Sequence, residues 1–336
     1  KNGFKLKYMF QKQRKRRLRN SESIRKIVSE NNLAVTDLVT PIFLTEGKKV
    51  KEEIESMPGY FRLSLDLLEK EINSLWELGL KAVLLFAKIP NKLKDNKGTE
   101  ALNENGLMQK GIKLIKSINP EILVISDVAL DPYSSHGHDG IVLDNKILND
   151  ETNKVLSKMA LSHAKAGVDF VSPSDMMDGR IGEIRTTLEN NEFNDTGIMS
   201  YSVKYASNLY SPFRDALSSN PGFGDKKTYQ MDFHNRKEAI SETLLDIDEG
   251  ADIVIVKPGI FYLDIISDLN AKINQPIAAY QVSGEYAMLK AAQLKGWIDY
   301  DSVIYENLVA FKRAGCSMII TYCAKDIARI INCKKN

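Results

Sequence analysis

Lys204 and Lys257 carry the sharpest chemical signal in this sequence. Each directly follows a short run of β-branched and other apolar residues, 198–203 and 253–256. A lysine at the end of a buried strand is poorly hydrated, which disfavours its ammonium form, and a second ammonium nearby disfavours it further. The neutral amine that results attacks a ketone and forms a Schiff base. One such lysine is better explained as a strand end paired with an acid. Two at equivalent places shift the balance towards chemistry.

Other polar groups stand in similar places. Asp127 and Asp131 fall around the run 122–130, Ser174 and Asp175 follow 168–171, Ser283 follows 277–282, and Tyr322 ends 318–322. The stretch 205–230 is long for a connection and contains Pro212, Pro221, Gly222 and Gly224 together with Arg214, Lys226 and Lys227. It reads as a mobile lid or a disordered segment whose cations suit a substrate carboxylate, with a solvated surface loop as the alternative. The segment 127–140, DVALDPYSSHGHDG, groups aspartates with His136 and His138. Oxygen ligands at short spacing can hold a hard cation such as Mg2+; solvated loop side chains are the competing reading.

Elements that would position these groups are visible in the hydrophobic pattern. Eight strand-length apolar runs recur: 38–44, 82–87, 122–130, 168–171, 198–203, 253–256, 277–282 and 318–322. Most lack polar alternation, as strands buried on both faces of a parallel sheet do. Between them lie helical stripes: Val155, Leu156, Met159 and Ala160; Ile240, Thr243, Leu244 and Ile247; and Val303, Leu308, Ala310 and Phe311 after a candidate cap at Asp301. Gly79, Gly167, Gly250 and Gly315 each stand between a helical stretch and the next strand, where a left-handed cap is needed. Strand, helix, glycine and strand, repeated about eight times, predicts a (β/α)8 TIM barrel with reactive groups at the C-terminal strand ends. An open doubly wound sheet is disfavoured because no glycine-rich phosphate loop follows an early strand.

Bulk properties exclude several classes. The 336 residues carry a formal net charge of +2, too small for whole-body capture of nucleic acid or of an anionic membrane. No apolar run approaches bilayer length. Cys316, Cys323 and Cys333 are too few for a disulfide framework and lack zinc-type pairing. The first residue is Lys1, which reads as a processed or trimmed N-terminus. The basic run 5–19, KLKYMFQKQRKRRLR, reads as a solvated arm, with a nucleic-acid patch as the weaker alternative.

Taken in order, RLRNSESIRKIV, DLVTPIFLTEG, DVALDPYSSHGHDG, AGVDFVSPSDMMDGRIGEIR, YSVKYASNLYSPFRDA, KKTYQMD, EGADIVIVKP, YQVSGEY and ITYCAKD resemble the porphobilinogen synthase (5-aminolevulinate dehydratase) family across nearly the whole chain. The resemblance implies a barrel, 35–336, preceded by an arm, 1–34, that links subunits. It implies a homo-octamer, with a hexamer or dimer as other states, and two molecules of 5-aminolevulinate as substrate. Lys257 matches the lysine that forms the Schiff base on the propionate side, with Ser283 and Tyr322 binding that substrate's carboxylate. Lys204 matches the acetate-side lysine; Arg214, Lys226 and Gln230 match its carboxylate grip, and Asp127 and Ser174 match pocket residues.

One departure is informative. The zinc-using branch has three cysteines where this chain has Ala129, Asp131 and Asp139, which argues against catalytic Zn2+ and resembles the magnesium-responsive branch. There an allosteric Mg2+ is implied at a subunit interface, on Glu242, with Asp175 and Arg180 as outer-shell partners across the interface; whether Asp131 and Asp139 hold metal stays open. A plastid-type organelle is the expected compartment and the cytoplasm the alternative. A class I aldolase, needing one imine lysine, and a non-catalytic basic-arm nucleic-acid-binding protein are the rival functions.

Overall fold

The structure, a computed structural model of the chain, describes residues 13–219 and 221–333. The chain divides into two units, at Asn32 and Leu33. In the first, the described residues form a 3-10 turn, Lys15–Arg19, and a short helix, Glu22–Ile27, that Ser21 caps by accepting from the Ile24 N–H. None of its described side chains is buried. Residues 5–12 of the basic run lie outside the described part.

The second unit is built on eight strands in chain order: β1 Leu38–Thr45, β2 Ala82–Lys88, β3 Leu123–Val128, β4 Phe170–Pro173, β5 Gly197–Lys204, β6 Ile253–Lys257, β7 Ile277–Gln281 and β8 Met318–Thr321. Each pairs in parallel with the next, and β8 returns to β1 through Leu38 with Ile319 and Val39 with Ile320. The sheet is therefore a closed barrel, as the apolar runs predict. All eight residues of β1 and all five of β6 and of β7 are buried, which is why no polar alternation shows in the sequence. Gly79, Gly167, Gly250 and Gly315 all have positive φ, from 86° to 116°, the conformation expected at these helix ends.

Two expected details differ. The helix Lys237–Asp248 buries Ala239, Thr243 and Asp246, while Leu244 is half exposed. Its inner face is turned away from the apolar stripe because Asp246 is drawn into a buried ion pair with Arg180. The helix Tyr300–Ala314 is capped by Asp299, which accepts from the Ser302 N–H, and not by Asp301, which lies within its first turn. Strands Lys51–Glu53 and Phe61–Leu63 extend the sheet beyond β1, and a hairpin, Ile141–Leu143 with Lys146–Leu148, follows the segment 127–140.

Candidate active site

Lys204 ends β5 and Lys257 ends β6, and the two are Cα partners on the same rung of adjacent parallel strands. Both side chains are buried, at 5% exposure. The rung depends on a bulge. Between Ser200 and Val203 β5 advances three positions while β6 advances two, from Val254 to Val256. A bulge inverts the alternation of faces downstream, so Tyr201 and Lys204 sit on one side: the Lys204 Nζ lies 5.9 Å from the Tyr201 ring centroid.

Lys257 sits in a cage of rings. Its Nζ lies 4.8 Å from the centroids of Phe213 and Tyr280 and 5.1 Å from those of Tyr201 and Tyr210. Among the described residues it has no ion-pair partner within 4.0 Å. Burial, and then the positive charge of Lys204, depress its amine to about 7, against the opposing pull of Asp127, Asp131 and Asp139. The ring faces also favour the ammonium, by roughly 0.5–2 kcal/mol. That is too little to undo the loss of hydration. The result is an amine that is substantially neutral near neutral pH, as Schiff-base formation requires.

Lys204 has different neighbours. Its Nζ donates to the carbonyl of Ser174 and lies 3.8 Å from Asp139 Oδ2. Asp139 in turn accepts from Lys226 Nζ at 3.0 Å, and Asp131 stands 3.5 Å from the same Nζ. Burial pushes Asp139 upwards, but Lys204 and Lys226 outweigh it and hold the carboxyl at about 2. Burial raises Asp131, with Lys226 opposing, and it raises Asp127, with Asp131 adding to the rise. Asp131 and Asp139 thus converge on the ammonium of Lys226. Asp127 Oδ1 and Gln230 Oε1 are buried without a hydrogen-bond partner. Such unpaired polar atoms in a pocket are suited to receive a polar ligand.

The remaining expected residues frame these two. The hydroxyl of Tyr322 lies 2.9 Å from that of Tyr280, whose ring faces Lys257. Ser283 Oγ accepts from the Phe213 N–H at 3.0 Å. Phe213 and Arg214 belong to a helix, Ser211–Leu217, inside the segment read as a lid or loop; Pro212 in its first turn and Ser218 at φ 52° define its ends. His138 holds another part of this segment: its Nε2 pairs with the Phe223 carbonyl and its Nδ1 with the Tyr229 hydroxyl, each at 3.0 Å. Both ring nitrogens are thereby engaged by the segment 205–230.

Glu242, Asp175 and Arg180 form a separate group. Glu242 borders an outer cleft of about 840 Å3 that is lined also by Asp178, Tyr229 and Gln230 but by neither Lys204 nor Lys257. Half-burial and the charge of Asp246 raise its carboxyl. Arg180 donates to Asp246 Oδ1 at 2.8 Å and stands 3.9 Å from Asp175, whose carboxyl burial raises to about 6. Asp246 completes this group and was not singled out by the sequence; its only trace is a charge inside an amphipathic helix. Tyr201, Tyr210, Phe213 and Tyr280 were missed as well, because aromatic residues in strands and lids read first as core.

Comparison with known proteins agrees with this geometry. The family model for delta-aminolevulinic acid dehydratase matches residues 12–330. A delta-aminolevulinic acid dehydratase of Chlamydia pneumoniae is 51% identical over 319 residues, 95% of this chain and 96% of that protein. One from Methanothermus sociabilis is 53% identical over 318 residues, 95% of this chain and 98% of its own length. The crystal structure of the Toxoplasma gondii ME49 delta-aminolevulinic acid dehydratase (porphobilinogen synthase), in complex with the reaction product porphobilinogen, superposes with a TM-score of 0.94 at 46% identity, covering 95% of this chain and 92% of that one. With two inward lysines on one rung of an eight-stranded barrel, and with these matches along its length, the chain belongs to the delta-aminolevulinic acid dehydratase family.

Proposed function

We propose that Lys257 and Lys204 are the amines on which this dehydratase condenses two molecules of 5-aminolevulinate to porphobilinogen with loss of two waters. The observation that carries the assignment is the shared rung: two buried lysines in register, one of them free of any acidic partner among the described residues. Neutral Lys257 attacks the ketone carbon of one substrate, and loss of water leaves an imine. Lys204 holds the second substrate in the same way. Iminium formation makes the neighbouring carbon acidic, and the enamine formed on proton loss attacks the other substrate's carbon. The amine of the Lys257-bound substrate adds to the imine carbon held by Lys204 and displaces that lysine. Lys257 leaves the newly bonded carbon by elimination with loss of a neighbouring proton, and a final proton loss gives the pyrrole with both lysines regenerated. Asp127, with one buried oxygen that lacks a hydrogen-bond partner and a carboxyl raised by burial, is assigned the exchange of such protons. The main contribution of the protein is to hold two dilute reactants together.

Ser283 and Tyr322 are assigned to the carboxylate of the Lys257-bound substrate, and Arg214, Lys226 and Gln230 to that of the other. Lys226 then exchanges Asp131 and Asp139 for the incoming carboxylate, or bridges them. The test is reductive trapping. Borohydride added with 5-aminolevulinate labels Lys257, and Lys257→Ala reduces turnover by about 10^4-fold or more. A Lys257→Ala protein that forms pyrrole at the normal rate defeats the assignment.

An allosteric Mg2+ at Glu242 is part of the same reading. Among the described residues no group of three or more His, Cys, Asp or Glu stands ready as a metal set. A water-rich Mg2+ needs only one or two protein carboxylates, and Glu242, raised by burial beside Asp246, gains from a cation. Bound there, the ion would supply charge neutralisation, with Asp175 and Arg180 in its outer shell. Glu242→Gln is expected to abolish any stimulation by Mg2+ while leaving basal turnover. A homo-octamer is the assembly proposed, checked by the mass of the intact protein in solution. A plastid-type location rests on the aspartate-rich segment and on a Lys- and Asn-rich composition, and imaging of the tagged chain tests it.

A further inference from the structure

Arg62 is a buried cation that takes no direct part in the condensation steps set out above. It lies on the short strand Phe61–Leu63, and its side chain is 8% exposed. Its Nε donates to the Ala216 carbonyl at 2.6 Å and its Nη2 to the Asp215 carbonyl at 2.7 Å, while Nη1 is held 2.9 Å from Glu52. The guanidinium fork therefore spans two consecutive carbonyls at the C-terminal end of the helix Ser211–Leu217. Lys94 does the same two residues further along: its half-buried Nζ donates to the Ser218 carbonyl at 2.9 Å. These are the carbonyls that a helix leaves without partners and on which its partial negative charge collects.

A helix of seven residues does not hold itself in water. This one is held from both ends. Ser283 accepts from the Phe213 N–H near its start, and Arg62 and Lys94 bind the carbonyls near its finish. Between the two ends lies the Phe213 ring, packed at 4.9 Å against Phe86 and 4.8 Å from Lys257 Nζ. We infer that Arg62 and Lys94 are positioning residues for the condensation: by clamping the C-terminal carbonyls of this helix they keep Phe213 over Lys257 and water away from its imine. The inference rests on the assignment of Lys257 as the imine-forming lysine. The other groups that face Lys257 are Tyr201 and Lys204 from β5, Tyr280 from β7, Tyr210 from the lid, Asp127 from β3, and Asp131 and Asp139 beyond it. None of these groups is replaced in the variants below; Lys94 itself acts electrostatically on Asp131.

The experiment compares the full chain with Arg62→Ala, Arg62→Lys and Lys94→Met. Each is incubated with 5-aminolevulinate and cyanoborohydride across a pH series, and the labelling of Lys257 is read beside kcat and KM. With the clamp lost, Arg62→Ala is expected to fall by about tenfold to a hundredfold in kcat/KM. Its labelling midpoint moves to higher pH, because water reaches the ammonium. Arg62→Lys recovers part of both, since a single ammonium can bind one carbonyl of the two, and Lys94→Met shifts both in the same direction by less. An Arg62→Ala protein whose labelling midpoint matches the unaltered chain overturns the inference, whatever its turnover, because loss of stability alone does not move that midpoint. Should Arg62→Ala fail to fold, the midpoint of Lys94→Met decides in its place. If the unaltered chain is not labelled at Lys257, the assignment of that lysine falls, and this inference with it; normal labelling with unmoved midpoints in the variants sinks the inference alone.

Discussion

Lys257 and Lys204 are the same residue type on the same rung of the same barrel, yet their surroundings are opposite. Lys257 faces four rings and has no ion-pair partner among the described residues. Lys204 donates to a backbone carbonyl and stands beside Asp139, which Lys226 also claims. The difference teaches that position on a barrel supplies proximity, while neighbours supply reactivity. Rings exclude water without offering a counterion, so burial acts on Lys257 at nearly full strength. A carboxylate held at about 2 by two ammonium groups does the reverse for Lys226, which, against its burial, Asp131 and Asp139 raise. Part of the depression of Lys257 comes from Lys204 itself, so the two sites are not independent.

Removing Lys204 is the hardest test of that coupling. Lys204→Met is expected to lower porphobilinogen formation by about 10^2-fold to 10^4-fold, because the second reactant loses its anchor. Reductive labelling of Lys257 by the first substrate persists, but its pH midpoint moves above that of the unaltered chain as a like charge disappears. In the unaltered chain labelling rises with pH through a midpoint near 7. The sign for stability follows from the same shift. Between about 7 and the usual lysine range the unfolded chain binds a proton that the folded chain does not, so this group's contribution to stability rises with pH across that window. An unmoved midpoint in Lys204→Met would break the claim that the rung couples the two amines.

Asp139 tests the other half of the comparison, and the expected effect is on stability first. Asp139→Asn leaves Lys204 and Lys226 buried without their shared carboxylate, which costs about 3 kcal/mol on the scale of broken buried pairs. Its depressed carboxyl gives the unaltered chain stability that is complete above about pH 4 and is lost as pH falls towards 2. Denaturant unfolding over that range measures the loss, and the Asn variant lacks this part of the acid sensitivity. A variant as stable as the unaltered chain at pH 7 would mean that the cluster holds no net stabilisation.

Much of this is legible in the residues alone. Parallel strands buried on both faces are continuous apolar runs, so all eight are visible, and the lysines can be placed at their ends. The glycines announce the helix exits because few other residues take that backbone conformation. Tyr201 is not legible as a neighbour of Lys204, because two residues three apart on a strand share a face only where a bulge intervenes. The pairing of Lys226 with Asp131 and Asp139 joins segments about ninety residues apart and leaves no local pattern. Asp246 reverses the reading of its helix for a related reason: a buried ion pair with Arg180 outweighs the exposure of Leu244.

The smallest effect separates the two things a ring does to Lys257. Phe213 both excludes water, which favours the neutral amine, and offers a negative π face, which favours the ammonium. Phe213→Leu keeps the helix clamped and the site apolar but removes the face. The lost attraction, about 0.5–1 kcal/mol, corresponds to roughly half a pH unit, so the labelling midpoint of Lys257 is expected to fall by that amount. A rise instead shows that leucine fails to keep water out and that exclusion is the larger service of the ring. Either direction ranks the two contributions at Lys257. The same substitution should leave the acid limb of the unfolding profile, set by Asp139, where it was, since that carboxylate is held by Lys204 and Lys226 and not by the cage.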